Sequence, residues 1–167
     1  SQPFLLILMI PFSVIAVAWG HWIHDFPINI SSMLGIIALI GIMVNDGLVL
    51  IGKFNTLLIS GLPFNEALQE ASRNRFRPIF LTSLTTIAGI APLLLEKSRA
   101  AQFLQPMAIS IAYGIFMATI LTLVFLPILL SFTNSVKVNL KWLITGQSVK
   151  KEEVERAIKE LNEGYEY

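Results

Sequence analysis

Residues 33–53 read MLGIIALIGIMVNDGLVLIGK, an apolar run from Met33 to Ile51 that contains one ionisable side chain, Asp46, and closes at Gly52 and Lys53. At 1.5 Å per residue a helix of this run reaches across the hydrocarbon core of a bilayer, which takes about 20 apolar residues. Small residues recur within it: Gly35, Ala38, Gly41, Asn45 and Gly52 fall at steps of three, three, four and seven. Such a stripe predicts close approach of another helix. Asp46 borders the stripe, about 100° round the helix from Asn45.

The flanking sequence repeats the pattern. An apolar run from Pro3 to Trp19 carries Pro11 as a kink site, and Trp19 and Trp22 stand where an interfacial aromatic belt lies. A polar connection, Gly20 to Ser32, separates it from the second run. A third span is expected over 78–95, opened by Pro78 at a first helical position, and a fourth over about 103–132 with Pro106 and Pro127 near its ends. With 54% hydrophobic residues, 14% charged and mean hydropathy +0.70, the chain lacks the charge of a soluble domain, where about a quarter of residues are ionised. The reading is all-α: a polytopic bundle of four transmembrane helices (about 3–19, 33–51, 78–95 and 103–132) in a lipid bilayer.

Two amphipathic segments lie outside the spans. Pro63 opens one over about 63–76, with Phe64, Ala67, Leu68 and Ala71 on a single face; it lies on the membrane surface or packs on its own bundle. The tail, 133–167, carries the other over about 149–163, with Ser148 as cap, Val154, Ala157, Ile158 and Leu161 as stripe, and Gly164 as stop. Lys53, Arg73, Arg75 and Arg77 follow the second run, and Lys137, Lys141, Lys150, Lys151, Arg156 and Lys159 follow the fourth. By the positive-inside rule both termini are cytoplasmic, despite Lys97 and Arg99 on the opposite side.

Composition also excludes functions. There is no cysteine, so thiol chemistry is absent, and a net charge of +1 gives no basic face for nucleic acid. No phosphate-binding glycine loop, nucleophile elbow or zinc motif occurs. His21, His24 and Asp25 invite a metal reading, but beside Trp22 at a membrane exit they read better as interfacial side chains, and no metal site is assigned.

Asp46 carries the functional signal. A carboxylate at mid-span costs about 2.5–3.5 kcal/mol on insertion scales and normally faces a bundle interior or an aqueous path. Ser or Asn would serve a purely structural contact at lower cost, so the expectation is a group that binds and releases a proton as its helices rearrange. Thr82, Thr85 and Thr86, with Ser83 alongside, offer hydroxyls that either cross to a neighbouring helix or bond back to their own carbonyls. Lys53 lies two turns below Asp46, about 10 Å away, and reads as an interfacial anchor.

Several segments together, GIMVNDGLVL at 41–50, Glu66-Ala-Leu68, RFRPIFLTSLTTIAGIAPL at 75–93, Ile10-Pro-Phe-Ser13 and Val124-Phe-Leu-Pro127, closely resemble the resistance–nodulation–division (RND) efflux permeases. The resemblance implies a proton-driven exporter of the bacterial inner membrane that needs no cofactor beyond the coupling proton. It implies as partners the remainder of the permease, assembled as a homotrimer with a periplasmic adaptor. Four spans and a tail look like the last third of the family's second half, and such a fragment is expected to be inactive alone. In the family, adjacent carboxylates in one half face a lysine in the other; the matching pair here is Asn45-Asp46, and no lysine stands at either position. By resemblance Asp46 supplies a relay carboxylate beside Asn45, with Thr82, Thr85 and Thr86 as secondary relay candidates. Two other readings compete: a related permease, either a lipid exporter or a translocation accessory of the SecD/SecF type, and a small autonomous membrane scaffold acting through its tail helix.

Overall fold

The apolar runs become helices that bury a narrow stripe each and leave the remaining surface equally apolar. The structure is a computed structural model that describes residues 2–145, 150–155 and 157–159. Helix α1, Gln2–Ile23, turns Leu5, Leu6, Met9, Ser13, Ala16, Val17, Gly20 and His21 inward at three- and four-residue spacing, while Phe4, Ile7, Phe12, Ile15 and Trp19 stay exposed. A helix in water would carry polar residues on that outer face. Among the described residues, four helical rods are long and apolar enough to cross a membrane.

Helix α2, Ile30–Ile59, begins at a capping box in which the Asn29 side chain accepts from the Ser32 backbone N–H at 3.0 Å and Ser32 Oγ accepts from the Asn29 N–H at 3.3 Å. It ends at Gly61, whose φ of +89° suits a residue without a Cβ. The N–H groups of Gly61 and Leu62 bond back to the Leu58 and Leu57 carbonyls there.

Helix α3 corrects the expected division at Pro78. It runs unbroken from Phe64 to Leu95, so the surface helix and the third span are one element, and Pro78 lies inside it. Buried positions carry on through the proline: Phe64, Ala67, Leu68 and Ala71 are followed at four-residue steps by half-buried Arg75 and buried Ile79 and Ser83. Pro78 is exposed, and its ring costs the helix one N–H without clashing with a neighbour.

The last rod is longer than the sequence suggested. Helix α4, Arg99–Ile120, passes through a π-helical turn, Leu121–Phe125, into α5, Leu126–Thr145. The wide turn sits just ahead of Pro127, which has no N–H to give, and the Leu126 N–H reaches back five residues to the Leu121 carbonyl. The inward-facing series Leu126, Leu130 and Asn134, at steps of four, carries past residue 132, where the fourth span was expected to end. The tail helix expected over 149–163 is also revised. Among the described residues of that range, Lys151–Val154 form turns and 157–159 are helical; Ser148, Leu161 and Gly164 lie outside the described residues. Hydrogen bonds that Glu152 and Glu155 accept from Phe64, Asn134 and Gln2 of the bundle tie the segment down.

The start of α1, the end of α2, the start of α3 and the tail meet at one end of the bundle, hereafter the tail end. There the side-chain amides of Gln2 and Asn55 exchange hydrogen bonds of 2.9 and 3.0 Å, and Phe54 meets Phe64 edge to face at 5.3 Å. The connections 24–29 and 96–98 lie at the other, the connection end.

A half-buried carboxylate on the flank of the second helix

The inward arc of α2 runs through Gly35, Leu39, Met43, Gly47, Leu50, Phe54 and Leu58. Its two edges meet different partners. A Cβ on Gly35 would stand 2.7 Å from the Met107 carbonyl oxygen and 2.8 Å from Ser110 Cβ of α4, whereas a Cβ on Gly47 would strike Leu6 of α1. At 100° per residue, Asp46 lies about 20° from Gly35 and therefore on the α4-facing edge of the arc. It is half-buried.

Its depth follows from the helix rise. Leu39 packs against Gly114, where an added Cβ would meet Leu39 Cδ2. Both helices run from the connection end toward the tail end, so seven residues further along each brings Asp46 level with Leu121, the first residue of the π-helical turn. That turn touches α2, and Thr122 within it is buried. Among the described residues, no side-chain hydrogen bond or ion pair reaches the Asp46 carboxylate.

The small-residue stripe divides. Gly35 is in contact with α4, but Ala38, Gly41, Asn45 and Gly52 are exposed, and a Cβ on Gly41 or Gly52 would meet nothing within 4 Å. Helix geometry explains the split: Gly41, Asn45 and Gly52 fall within about 40° of one another and are centred roughly 100° from Gly35. The small face beside Asp46 therefore points away from the other helices of this chain.

The hydroxyls of α3 divide similarly. Thr82 donates to the Pro78 carbonyl at 2.8 Å, Thr85 to Leu81 at 2.9 Å, and Thr86 to Thr82 at 2.8 Å. All three spend their protons on their own helix. The hydroxyl that crosses is Ser83. It gives its proton to Ile79 at 2.9 Å and accepts from Thr119 of α4 at 2.6 Å.

A second polar cluster joins α1 to α4 near the connection end, and sequence reasoning missed it. His21 Nε2 lies 3.0 Å from Ser110 Oγ, His24 Nε2 lies 3.1 Å from the Tyr113 hydroxyl, and the Tyr113 ring occupies the place of a Cβ on Gly20. The available signal was a matched spacing, since His21 at the end of α1 and His24 in the turn after it are three apart, as are Ser110 and Tyr113 on α4. Each imidazole is thus tied to a different side chain of α4.

Known proteins are similar to this chain in sequence. The sequence profile described as the AcrB/AcrD/AcrF family matches residues 1–134. The chain is 34% identical over 127 residues to the swarming motility protein SwrC of Bacillus subtilis, covering 75% of this chain and 12% of that protein. It is 32% identical over 120 residues to the cobalt-zinc-cadmium resistance protein CzcA of Cupriavidus metallidurans, covering 72% and 11%. It is 31% identical over 137 residues to the multidrug resistance protein MdtC of Proteus mirabilis, covering 81% and 13%. The chain therefore spans about an eighth of the length of these relatives. A profile matched from the first residue into the fourth apolar rod leaves one assignment: the chain belongs to the AcrB/AcrD/AcrF family of RND permeases.

Proposed function

We propose that this chain is the energy-coupling part of a proton-driven export permease, in which Asp46 takes up and releases the coupling proton. The observation that carries the reading is a lone carboxylate in an apolar helix, half-buried against α4 at the level of a π-helical turn. An intramembrane carboxylate without a charged partner is costly, and wide turns inside helices are enriched at functional positions. The proton is the only cofactor in this reading.

The exposed face of Ala38, Gly41, Asn45 and Gly52 supports a division of labour in which other helices of the permease close over Asp46 and bring the charge that answers it. Small residues let those backbones approach. Asn45 faces the incoming helices with a neutral amide, and Thr86, half-buried one turn from Thr82, is the nearest of the secondary candidates to the bundle interior. The curated relatives' names divide between metal resistance and multidrug resistance. A segment common to both serves coupling, and the exported compound is selected elsewhere in the permease. The family points further to a homotrimer working with a periplasmic adaptor. The lysine and arginine distribution supports an orientation with both termini in the cytoplasm, and the family supports a bacterial inner-membrane location.

The test is complementation of an efflux-deficient strain by the permease carrying this segment. Asp46→Asn is expected to abolish resistance at unchanged membrane abundance; undiminished resistance removes Asp46 from the mechanism.

A further inference from the structure

Helices α3 and α4 do not close on each other along their outer side. Between them lies a groove of about 360 Å³, walled by Phe76, Phe80 and Leu84 of α3 and by Phe116, Ile120 and Val124 of the last rod. Phe76 and Phe80 stack nearly parallel, 5.9 Å apart with 5° between their planes. The two hydroxyls in the groove are already engaged, since Ser83 donates to the Ile79 carbonyl and accepts from Thr119. The groove therefore offers an occupant hydrocarbon contact and no polar recognition. Its volume falls within the range of about 300–1,000 Å³ that holds small molecules.

The walls and the depth narrow the choice of occupant. Another helix approaches closely over small residues, and those lie on α2; the side chains that wall this groove are large. A flexible alkyl chain needs no such approach of backbones. Thr119, which meets Ser83, stands two residues before Leu121 and so level with Val44, near the centre of the 33–51 run. Helix α3 runs toward the connection end, so Phe76 lies about 10 Å and Arg73 about 15 Å to the tail side of Ser83. The second distance is half of a hydrocarbon core of about 30 Å, which puts Arg73 at the level of lipid headgroups.

Charge completes the site. At 100° per residue Phe76, Phe80 and Leu84 span about 80° of α3; Arg73 falls inside that arc and Arg77 about 20° beyond its edge, whereas Arg75 lies about 140° from Phe80. Arg73 and Arg77 are exposed, and side chains tilted toward a helix N-terminus carry their guanidiniums toward the tail end. Among the described residues the ion pair is Lys137–Glu155, so no carboxylate pairs with either arginine, and Glu70, one turn away, accepts instead from Asn74 at 3.0 Å. We propose that the α3–α4 groove is a binding site for an anionic phospholipid of the tail-side leaflet, with one acyl chain against Phe76, Phe80 and Phe116 and the phosphate on Arg73 and Arg77. The site shares no residue with the Asp46 reading and does not rest on it.

The test uses the permease carrying this segment, in phosphatidylcholine vesicles with a minor fraction of phosphatidylglycerol that bears a photoreactive diazirine in one acyl chain. After illumination, mass spectrometry locates the modified residues. Adducts are expected to concentrate on the walls of the groove, and unlabelled phosphatidylglycerol should displace them where added phosphatidylcholine does not. Arg73→Gln and Arg77→Gln should each weaken labelling of the groove about fivefold, as one basic residue near an anionic lipid contributes. Should either variant fail to insert, the competition between the two headgroups in the unaltered protein decides the matter by itself. Adducts spread evenly over the exposed residues of all four rods mean an unselective lipid shell. Equal displacement by phosphatidylcholine means that the headgroup is not read, and an unlabelled groove means that another helix covers it. Each of these three results overturns the proposal. A failed Asp46→Asn complementation test leaves them unaffected, so the two readings fail separately.

Discussion

Asn134 of α5 donates from Nδ2 to Glu155 Oε1 at 2.8 Å, joining the last rod to the tail at a point where Asn134 is 0% and Glu155 2% exposed. Lys137 approaches the same carboxylate at 3.3 Å, and Gln2 Nε2 lies 3.3 Å from Glu155 Oε2. One glutamate thus draws together α1, α5 and, through the Gln2–Asn55 amide pair, the end of α2. Truncating it strands buried donors.

Glu155→Ala is therefore expected to lower stability by about 1–3 kcal/mol, the cost of leaving buried polar groups without partners. Reversible unfolding in mixed micelles measures it. An unchanged midpoint means that the tail does not fasten the bundle.

The tail also caps α3. Pro63 offers no side-chain cap, and the Phe64 N–H instead donates to Glu152 Oε1 at 2.7 Å. This bond holds the Glu152 carboxyl below its ordinary value of 4.5, chiefly because the Phe64 amide favours the ionised form, with burial opposing it. A lowered folded-state value stabilises the fold fully above the ordinary glutamate value, and that contribution is lost as pH falls below 4.5 through the lowered one. Hydrogen exchange at the Phe64 amide should stay protected at neutral pH and lose protection on acidification. Glu152→Gln should weaken protection at neutral pH and remove most of its pH dependence.

The glycines of α2 separate two environments. Gly35→Ala places a methyl against the Met107 backbone carbonyl, which cannot rotate away, and should cost about 1–3 kcal/mol, as overpacking generally does. Gly41→Ala meets open space in this chain and should be neutral or stabilise by about 0.5–1 kcal/mol through helix propensity. In a permease whose other helices cover that face, Gly41→Ala should instead impair assembly. The contrast between isolated chain and permease tests whether the face is occupied.

Hydroxyl contacts give a double-mutant cycle. Ser83→Ala and Thr119→Val should each destabilise the α3–α4 pair, with a coupling of about 0.6 kcal/mol, the average for interhelical hydrogen bonds in membranes. Thr82→Val, whose hydroxyl serves only its own helix, should show no coupling to Thr119.

Hydropathy made the four rods and the place of Asp46 legible, because a bilayer requires long apolar runs and tolerates few charges in them. Element boundaries were less legible. Pro78 looked like a start, yet inward-facing positions continue through it at four-residue steps, Ala71, Arg75, Ile79 and Ser83. The stripe from Gly35 to Gly52 read as one face since its steps of three and four each stay near one side, but their errors accumulate to about 100° between Gly35 and the rest. The turns at 151–154 have a different ground: nothing local in the sequence marks Phe64 or Asn134 as partners of Glu152 and Glu155. Contacts made 88 and 21 residues away are set by how the rods pack.

Coupling of proton entry to export through Asp46 is tested most directly in proteoliposomes containing the permease, with an imposed pH gradient and a pH dye inside. Adding an exported compound should accelerate collapse of the gradient with the unaltered protein, and Asp46→Asn should leave the rate at the protein-free background. Substrate-dependent proton flux that persists in Asp46→Asn would contradict the assignment.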